Sequence, residues 1–177
     1  MEVLQGRPTD ETGRLEKEIA VYDLLDKLDI PFRRVDHVHA DTMEMCQEID
    51  QALGQDICKN LFLCNRQKTK FYLLLMPGDK PFKTKNLSAQ IGSSRLSFGG
   101  AEDMERLLHL TPGSVTVLGL MYDPDCQVTL LIDQDLYQQS AFGCHPWINT
   151  STVQFSTADF REKLLPALGH PVTLVQL

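Results

Sequence analysis

The sequence lacks any apolar run near the ~20 residues that a membrane-spanning helix needs, which leaves no membrane partner to expect. Its first residues, Met1 to Gly13, are polar and acidic with no apolar signal core, so a cytoplasmic location is expected. P-loop, GxGxxG, GxSxG and HExxH patterns are all missing. Their absence removes the usual motif-borne routes to phosphate cradling, dinucleotide binding, a serine elbow and a zinc protease. The five cysteines are odd in number and none forms a CxxC pair, which argues against a disulfide framework or a zinc site. His37 and His39, two apart, would share a strand face, but no further ligands stand at suitable spacing. Neither a metal nor another cofactor is expected. Cys144 beside His145 invites a nucleophile reading. Adjacent strand residues point to opposite faces, so a small buried thiol is the preferred reading. Internal repeats and low-complexity segments are also missing.

What is present is a chain of 177 residues, suited to one sizeable core, with 42% apolar and 23% charged residues. The formal charge is −7, which disfavours a general nucleic-acid coat protein, and no DNA partner is expected. The distribution says more than the sum. Between Lys59 and Arg95 stand eight basic residues against Asp79 alone, a net of +7, whereas residues 1–58 carry −8 and residues 96–177 carry −6. One basic third in an acidic chain fits a face that docks a polyanion while the rest repels it. A solvated hairpin rim is the alternative reading.

Residues 1–14 read as a disordered lead-in, and residues 15–177 as a single domain. Leu15, Ile19, Tyr22, Leu25 and Leu28 recur at helical spacing, and Pro31 stops that helix near Asp29. Pro31 to Val38 is extended. Thr42 caps a second helix, with Met45, Ile49 and Leu53 as its stripe and Gly54 as its end. Ile57 to Cys64 and Phe71 to Met76 are strands of one hairpin. If Leu61 and Leu63 face the core, alternation puts Lys59 on the same face, at the open end; a solvated lysine at a strand start is the alternative. Short helices are predicted at Asn86 to Gly92 and Ala101 to Leu108, with an extended piece at Ser94 to Phe98. Val115 to Met121 and Gln127 to Ile132 read as strands joined by the turn Tyr122 to Asp125. Asp133 to Tyr137 is a short turn or helix, Ala141 to Cys144 is extended and Asn149 to Phe155 is a strand. A helix over Ala158 to Leu168, capped by Ser156 or Thr157 and closed by Gly169, precedes a last strand, Val172 to Val175. The interspersed elements and hairpin-length links predict an α+β fold: a mixed, largely antiparallel sheet with packed helices.

Three segments stand out for chemistry: Lys59-Asn60; the loop Pro112-Gly113-Ser114-Val115-Thr116-Val117 with Leu118-Gly119-Leu120; and His145-Pro146 with Asn149-Thr150. A glycine followed by small residues lets the backbone approach a ligand closely and aim N–H groups at a developing oxyanion. His-Pro followed by Asn-Thr offers a turn with fixed polar groups. In this order, with "LSF" (Leu96 to Phe98) and "LLIDQDL" (Leu130 to Leu136), the chain resembles the YbaK/prolyl-tRNA synthetase-associated editing domain family, and within it the free-standing prolyl-tRNA deacylase branch. The resemblance covers residues 15–177.

The resemblance implies an editing-domain fold and an enzyme, a hydrolase that removes a wrong amino acid, typically alanine, from the 3′ adenosine of proline tRNA. The partners it implies are the acceptor end of that tRNA and, alongside it, prolyl-tRNA synthetase. A synthetase pocket sized for proline discriminates only weakly against a smaller apolar residue, since a methylene is worth ~1–3 kcal/mol. By resemblance Lys59 anchors the aminoacyl-adenosine end through its terminal phosphate, supported by Asn60. The loop Gly113, Ser114, Val115, Thr116 and Val117 would hold the ester and stabilise the tetrahedral intermediate, and His145, with Asn149, would shape the amino-acid pocket. Water, assisted by the adenosine 2′-hydroxyl, is the implied attacking group. Two departures from the family pattern stand out. Val117 replaces a proline, and Trp147-Ile148 replace two small polar residues, a change expected to reshape the pocket or an RNA-facing rim. Alternatives are another mischarged tRNA (cysteinyl-tRNA(Pro), or serine or threonine esters) and a non-catalytic tRNA- or synthetase-binding module of the same fold.

Overall fold

The structure, a computed structural model, describes residues 1–177. Its first half runs β1 (Leu4–Gln5), α1 (Glu16–Lys27), β2 (Arg33–Asp36), α2 (Met43–Leu53), β3 (Lys59–Cys64), β4 (Phe71–Met76), α3 (Thr84–Ile91), β5 (Ser97–Phe98) and α4 (Ala101–Leu108). A 3₁₀ helix (Val117–Tyr122), β6 (Val128–Asp133), a 3₁₀ helix (Gln134–Gln138), β7 (Ala141–Cys144) and β8 (Ser151–Ser156) follow. The chain closes with α5 (Thr157–Asp159), a π-helical segment (Phe160–Leu164), α6 (Leu165–Leu168) and β9 (Val172–Val175).

The strands form two sheets rather than one. The first, in the order β1-β2-β8-β7, is antiparallel throughout. The second, β5-β3-β4-β6-β9, is mixed, with β4–β6 and β6–β9 parallel. Antiparallel pairs are thus the majority, as expected, in an α+β fold.

β4 explains the second sheet. Its sequence Phe71-Tyr72-Leu73-Leu74-Leu75-Met76 does not alternate, and all six residues are buried. A strand covered on both faces reads as a continuous apolar run. Leu73 and Leu75 enter the main core with Phe62, Cys64, Leu130 and Ile132. Leu74 and Met76 enter a smaller core with Leu63, Leu87 and Leu131, which α3 covers. Each fully buried leucine contributes about 1.5–3 kcal/mol. β3 obeys the same division: Phe62 and Cys64, like Cys58 just before it, face the main core, and Leu61 and Leu63 the smaller one. The expected sharing of a face by Lys59, Leu61 and Leu63 holds, but it is the face of the smaller core.

Helix boundaries follow local chemistry. Thr42 caps α2 by accepting from the Met45 N–H at 3.2 Å, and Gly54 ends it at φ 72°. Ser156 caps the last helix through the Asp159 N–H. That helix widens before Pro166, whose ring carries no N–H to continue the ordinary ladder.

Two segments differ from the sequence reading. The predicted strand Val115 to Met121 is instead a 3₁₀ helix over Val117–Tyr122, capped by the Thr116 hydroxyl. Its residues Val117, Leu118, Gly119 and Leu120 are all buried, and a short apolar run buried on every side carries no period to distinguish strand from helix. Residues 1–14, read as a disordered lead-in, carry β1 and two ion-paired arginines. Leu4 pairs with Arg34 in register, Arg7 reaches Glu11, Asp23 and Asp26, and Arg14 reaches Glu18 and Asp36.

Candidate active site

The start of β3 meets two other segments at a pair of adjoining cavities. The smaller, of ≈ 220 Å³, is lined by Ile57, Cys58, Asn60, Gly113, Val115, Cys144 and His145. The larger, of ≈ 570 Å³, shares Ile57, Cys58 and His145 with it and extends to Lys59, to the loop before α2 and to the first turns of α2. Alternation along β3 decides which neighbour goes where: Asn60 turns to the smaller cavity and Lys59 to the larger.

Asn60 holds the most informative atom. Its Nδ2 donates at 3.4 Å to the Cys58 carbonyl, which fixes the amide orientation, because a carbonyl only accepts. Its Oδ1 is then buried with no hydrogen-bond partner. An unsatisfied buried acceptor costs about 1–3 kcal/mol, so this oxygen is open to a donor from a ligand or water.

His145 follows β7 at the turn into β8. Its Nδ1 donates to the Ser151 carbonyl at 3.0 Å, which leaves Nε2 without a protein partner. Burial holds its pKa below the usual histidine range, and the nearby His37 ring, 6.3 Å away, adds to the depression. The ring is therefore a neutral imidazole that presents a lone pair. The two thiols of the smaller cavity are neutral as well: burial pushes Cys58 up and Cys144 up to about 12.

Gly113 sits at φ 88°, a backbone conformation that a side chain resists. Its turn is closed by the Ser114 N–H donating to Thr111 O at 3.1 Å, and the N–H groups of Gly113 and Val115 donate to no backbone carbonyl. Val115 walls the smaller cavity. Ser114 lines neither cavity; Thr116 is buried as a cap, and Val117 belongs to the main core. The loop thus reaches the site through Gly113 and Val115. Asn149 also stands behind the site. It accepts from Ala40 N at 3.2 Å and donates to the Asp41 carboxylate at 3.1 Å, which ties the wall of the larger cavity to the β8 side.

Lys59 donates to the Lys80 carbonyl at 2.6 Å, and Lys80 in turn pairs with Asp133 and Asp135, each at 2.7 Å. Around Lys59 the larger cavity carries four carboxylates that the motifs did not single out: Asp41, Asp50, Asp56 and Asp79. Burial, with a contribution from Asp56, raises the pKa of Asp50. The cavity favours cations except at Lys59 itself.

Trp147 lines neither cavity. It adopts φ 77°, buries its indole against Tyr122 and donates to the His109 carbonyl at 3.1 Å, with Lys17 over the ring. Ile148 does not line them either. Neither residue of this departure from the family pattern therefore forms a wall of the cavities. The residues that pattern reading missed are Ile57, Cys58 and the acidic wall; Cys144, read as a small buried thiol, is one. Cys58 was within reach, since alternation from Asn60 places it on the same face.

Fold and site define a two-sheet α+β domain with a cavity of ≈ 220 Å³ walled by neutral groups. The chain belongs to the aminoacyl-tRNA editing domain family, whose model matches residues 37–163. It is similar to the prolyl-tRNA editing protein ProX of Acetoanaerobium sticklandii, at 31% identity over 92% of this chain and 99% of that one. It is also similar to the prolyl-tRNA synthetase associated domain-containing protein 1 of Danio rerio, at 28% identity over 90% and 86%. A crystal structure of a candidate trans-editing enzyme for prolyl tRNA synthetase shares the fold at TM-score 0.67 and 16% identity, over 92% and 98% of the two chains. As an editing domain the chain is a hydrolase of the aminoacyl-tRNA ester. None of its helices is long and apolar enough to cross a membrane.

Proposed function

We propose that this chain acts in trans on proline tRNA mischarged with alanine. The observation that carries the reading is the convergence of Asn60, the Gly113 turn and His145 on one cavity of ≈ 220 Å³ that contains a buried, unpartnered acceptor. The α-ammonium of an aminoacyl ester is a donor suited to Asn60 Oδ1, and the acidic wall beside it favours that charge. On this reading Ile57, Val115 and the neutral thiols of the smaller cavity admit the methyl side chain of alanine and exclude the larger proline ring by steric clash. The ester carbonyl faces the Gly113 and Val115 N–H groups, which stabilise the oxyanion as it forms. His145 Nε2 accepts from the substrate or its water.

Lys59, the cation of the larger cavity, holds the 3′ end through the terminal phosphate. Water adds to the acyl carbon and the bond to O3′ breaks. The proton lost by water passes through the adenosine 2′-hydroxyl to O3′. No protein nucleophile takes part, in keeping with thiols whose pKa burial raises.

The test is release of alanine from mischarged proline tRNA by the purified protein, with prolyl-tRNA(Pro) as control and cysteinyl, seryl and threonyl esters as a panel. Alanine release with prolyl-tRNA intact is the expected result. Preferred turnover of another ester moves the specificity, and no turnover of any ester leaves a binding module.

A further inference from the structure

A strip of partly exposed side chains leads away from Lys59 along the same face of β3. Leu61 comes next, half-buried, and then Phe98, which pairs with Leu63 across the β3–β5 ladder and so shares its face. Phe82 joins them, with its ring edge-on to Phe98 at 6.3 Å. Phe98 is 64% exposed, on the outermost strand of its sheet. A phenylalanine so exposed gains little from folding.

Cations flank the strip on both sides. Arg66, Lys68 and Lys70 stand at the hairpin turn, and the bond from Arg66 N to the Ser94 hydroxyl brings Arg95 beside them. Lys83 and Lys85 stand at the start of α3, next to Phe82. None of these six makes a salt bridge, whereas Lys80, outside the strip, makes two. An interface with another protein tends to exclude lysine from its centre. Aromatic faces set among unpaired cations fit single-stranded nucleic acid, with bases stacked and phosphates neutralised.

On the reading that the site takes the 3′ end of a tRNA, we propose that Phe98, backed by Phe82, is a stacking platform for an unpaired base upstream of the terminal adenosine. From Lys59 to Leu63, the partner of Phe98, β3 advances roughly 13 Å, the span of about four stacked nucleotides at ~3.4 Å each. The platform thus receives a base of the single-stranded end while the ester lies in the cavity.

The test uses a hairpin RNA with an unpaired 3′ end that carries 2-aminopurine upstream of the terminal adenosine, together with alanyl-tRNA(Pro) and the short ester 3′-O-alanyl-adenosine. Stacking on Phe98 quenches the probe on binding. Phe98→Ala abolishes the quench and raises KM for the tRNA at least about fivefold, the lower end for one stacked base, but leaves the short ester unchanged. Phe98→Tyr restores both. Equal losses on tRNA and short ester would overturn the platform, since they indicate a structural role. So would an unquenched wild type, or a dimer that Phe98→Ala dissociates. Because the quench needs no turnover, an inactive wild type that still quenches refutes the deacylase reading and keeps the platform.

Discussion

Lys59 and Asn60 are neighbours in sequence, yet each lines only one of two adjoining cavities, Lys59 the larger and Asn60 the smaller, with their side chains on opposite faces of β3. Their substitutions should fail differently. Asn60→Ala is expected to lower kcat/KM for alanyl-tRNA(Pro) and for 3′-O-alanyl-adenosine alike, by at least about tenfold or ~1.4 kcal/mol. Lys59→Ala should cost a similar factor on the tRNA and much less on the short ester, which has no terminal phosphate. Steady-state kinetics on both substrates separates the two roles.

The pH response follows His145. Its pKa is depressed in the folded protein, so it protonates at lower pH than an ordinary histidine of about 6.5. The neutral ring's contribution to stability is present above the unfolded value and is lost as pH falls from there through the depressed folded value. Activity that needs the Nε2 lone pair should persist through pH 6.5 and decline below. Histidine NMR titration beside a pH–rate profile checks both, and a His145→Gln variant identifies the resonance.

The amino-terminal segment should matter to stability through Arg14. Glu18 is buried and is satisfied by Arg14 at 2.8 Å and the Tyr22 hydroxyl at 2.6 Å. Arg14→Ala leaves that carboxylate short of its cation. The expected cost is roughly 2–3 kcal/mol, below the 3–5 for a wholly buried pair because Arg14 keeps solvent contact; urea denaturation measures it. Arg14 also pairs with Asp36. Burial works against the Asp36 charge, but Arg14, Arg34 and Ser151 outweigh it and bring the pKa down to about 2. The contribution of Asp36 is therefore present above its unfolded value near 3.9 and fades as pH falls toward 2.

Specificity should yield to Ile57. Ile57→Ala widens the smaller cavity and is expected to raise turnover of threonyl relative to alanyl esters by about tenfold, within the ~1–3 kcal/mol that one or two methylene groups command. A ratio unchanged in a competition assay would place the amino-acid side chain elsewhere.

Salt should weaken RNA binding. Removing one phosphate-neutralising cation, as in Lys68→Ala or Lys83→Ala, is expected to flatten the slope of log K against log[salt] by about 0.7–0.9. Fluorescence anisotropy across a salt series reads this directly.

Much of this was legible in the sequence where a local device fixes the outcome. Thr42 and Gly54 bracket α2, and the apolar run of β4 marks a doubly covered strand. The 3₁₀ helix was not legible, because Val117 to Leu120 is apolar on every side and lacks a period. For the site, Lys59, Asn60, Gly113 and His145 were reached through resemblance to a family. Asp41, Asp50, Asp56 and Asp79 were not, since an acidic wall assembled from α2, its flanking loops and the β4–α3 turn leaves no spacing to read. The positive φ of Trp147, whose ring lines neither cavity, has no sequence signature either.

The parallel contact between β4 and β6 bears on how the protein is made. Phe71 to Leu75 align with Val128 to Ile132, and β6 then receives β9 within a few residues of Leu177. During synthesis the β3–β4 hairpin must wait for some fifty residues to emerge before its apolar flank is covered. A ribosome stalled before β6 would therefore present a sticky half-sheet, and loss of the last few residues would reopen the far border of the sheet that bears Lys59.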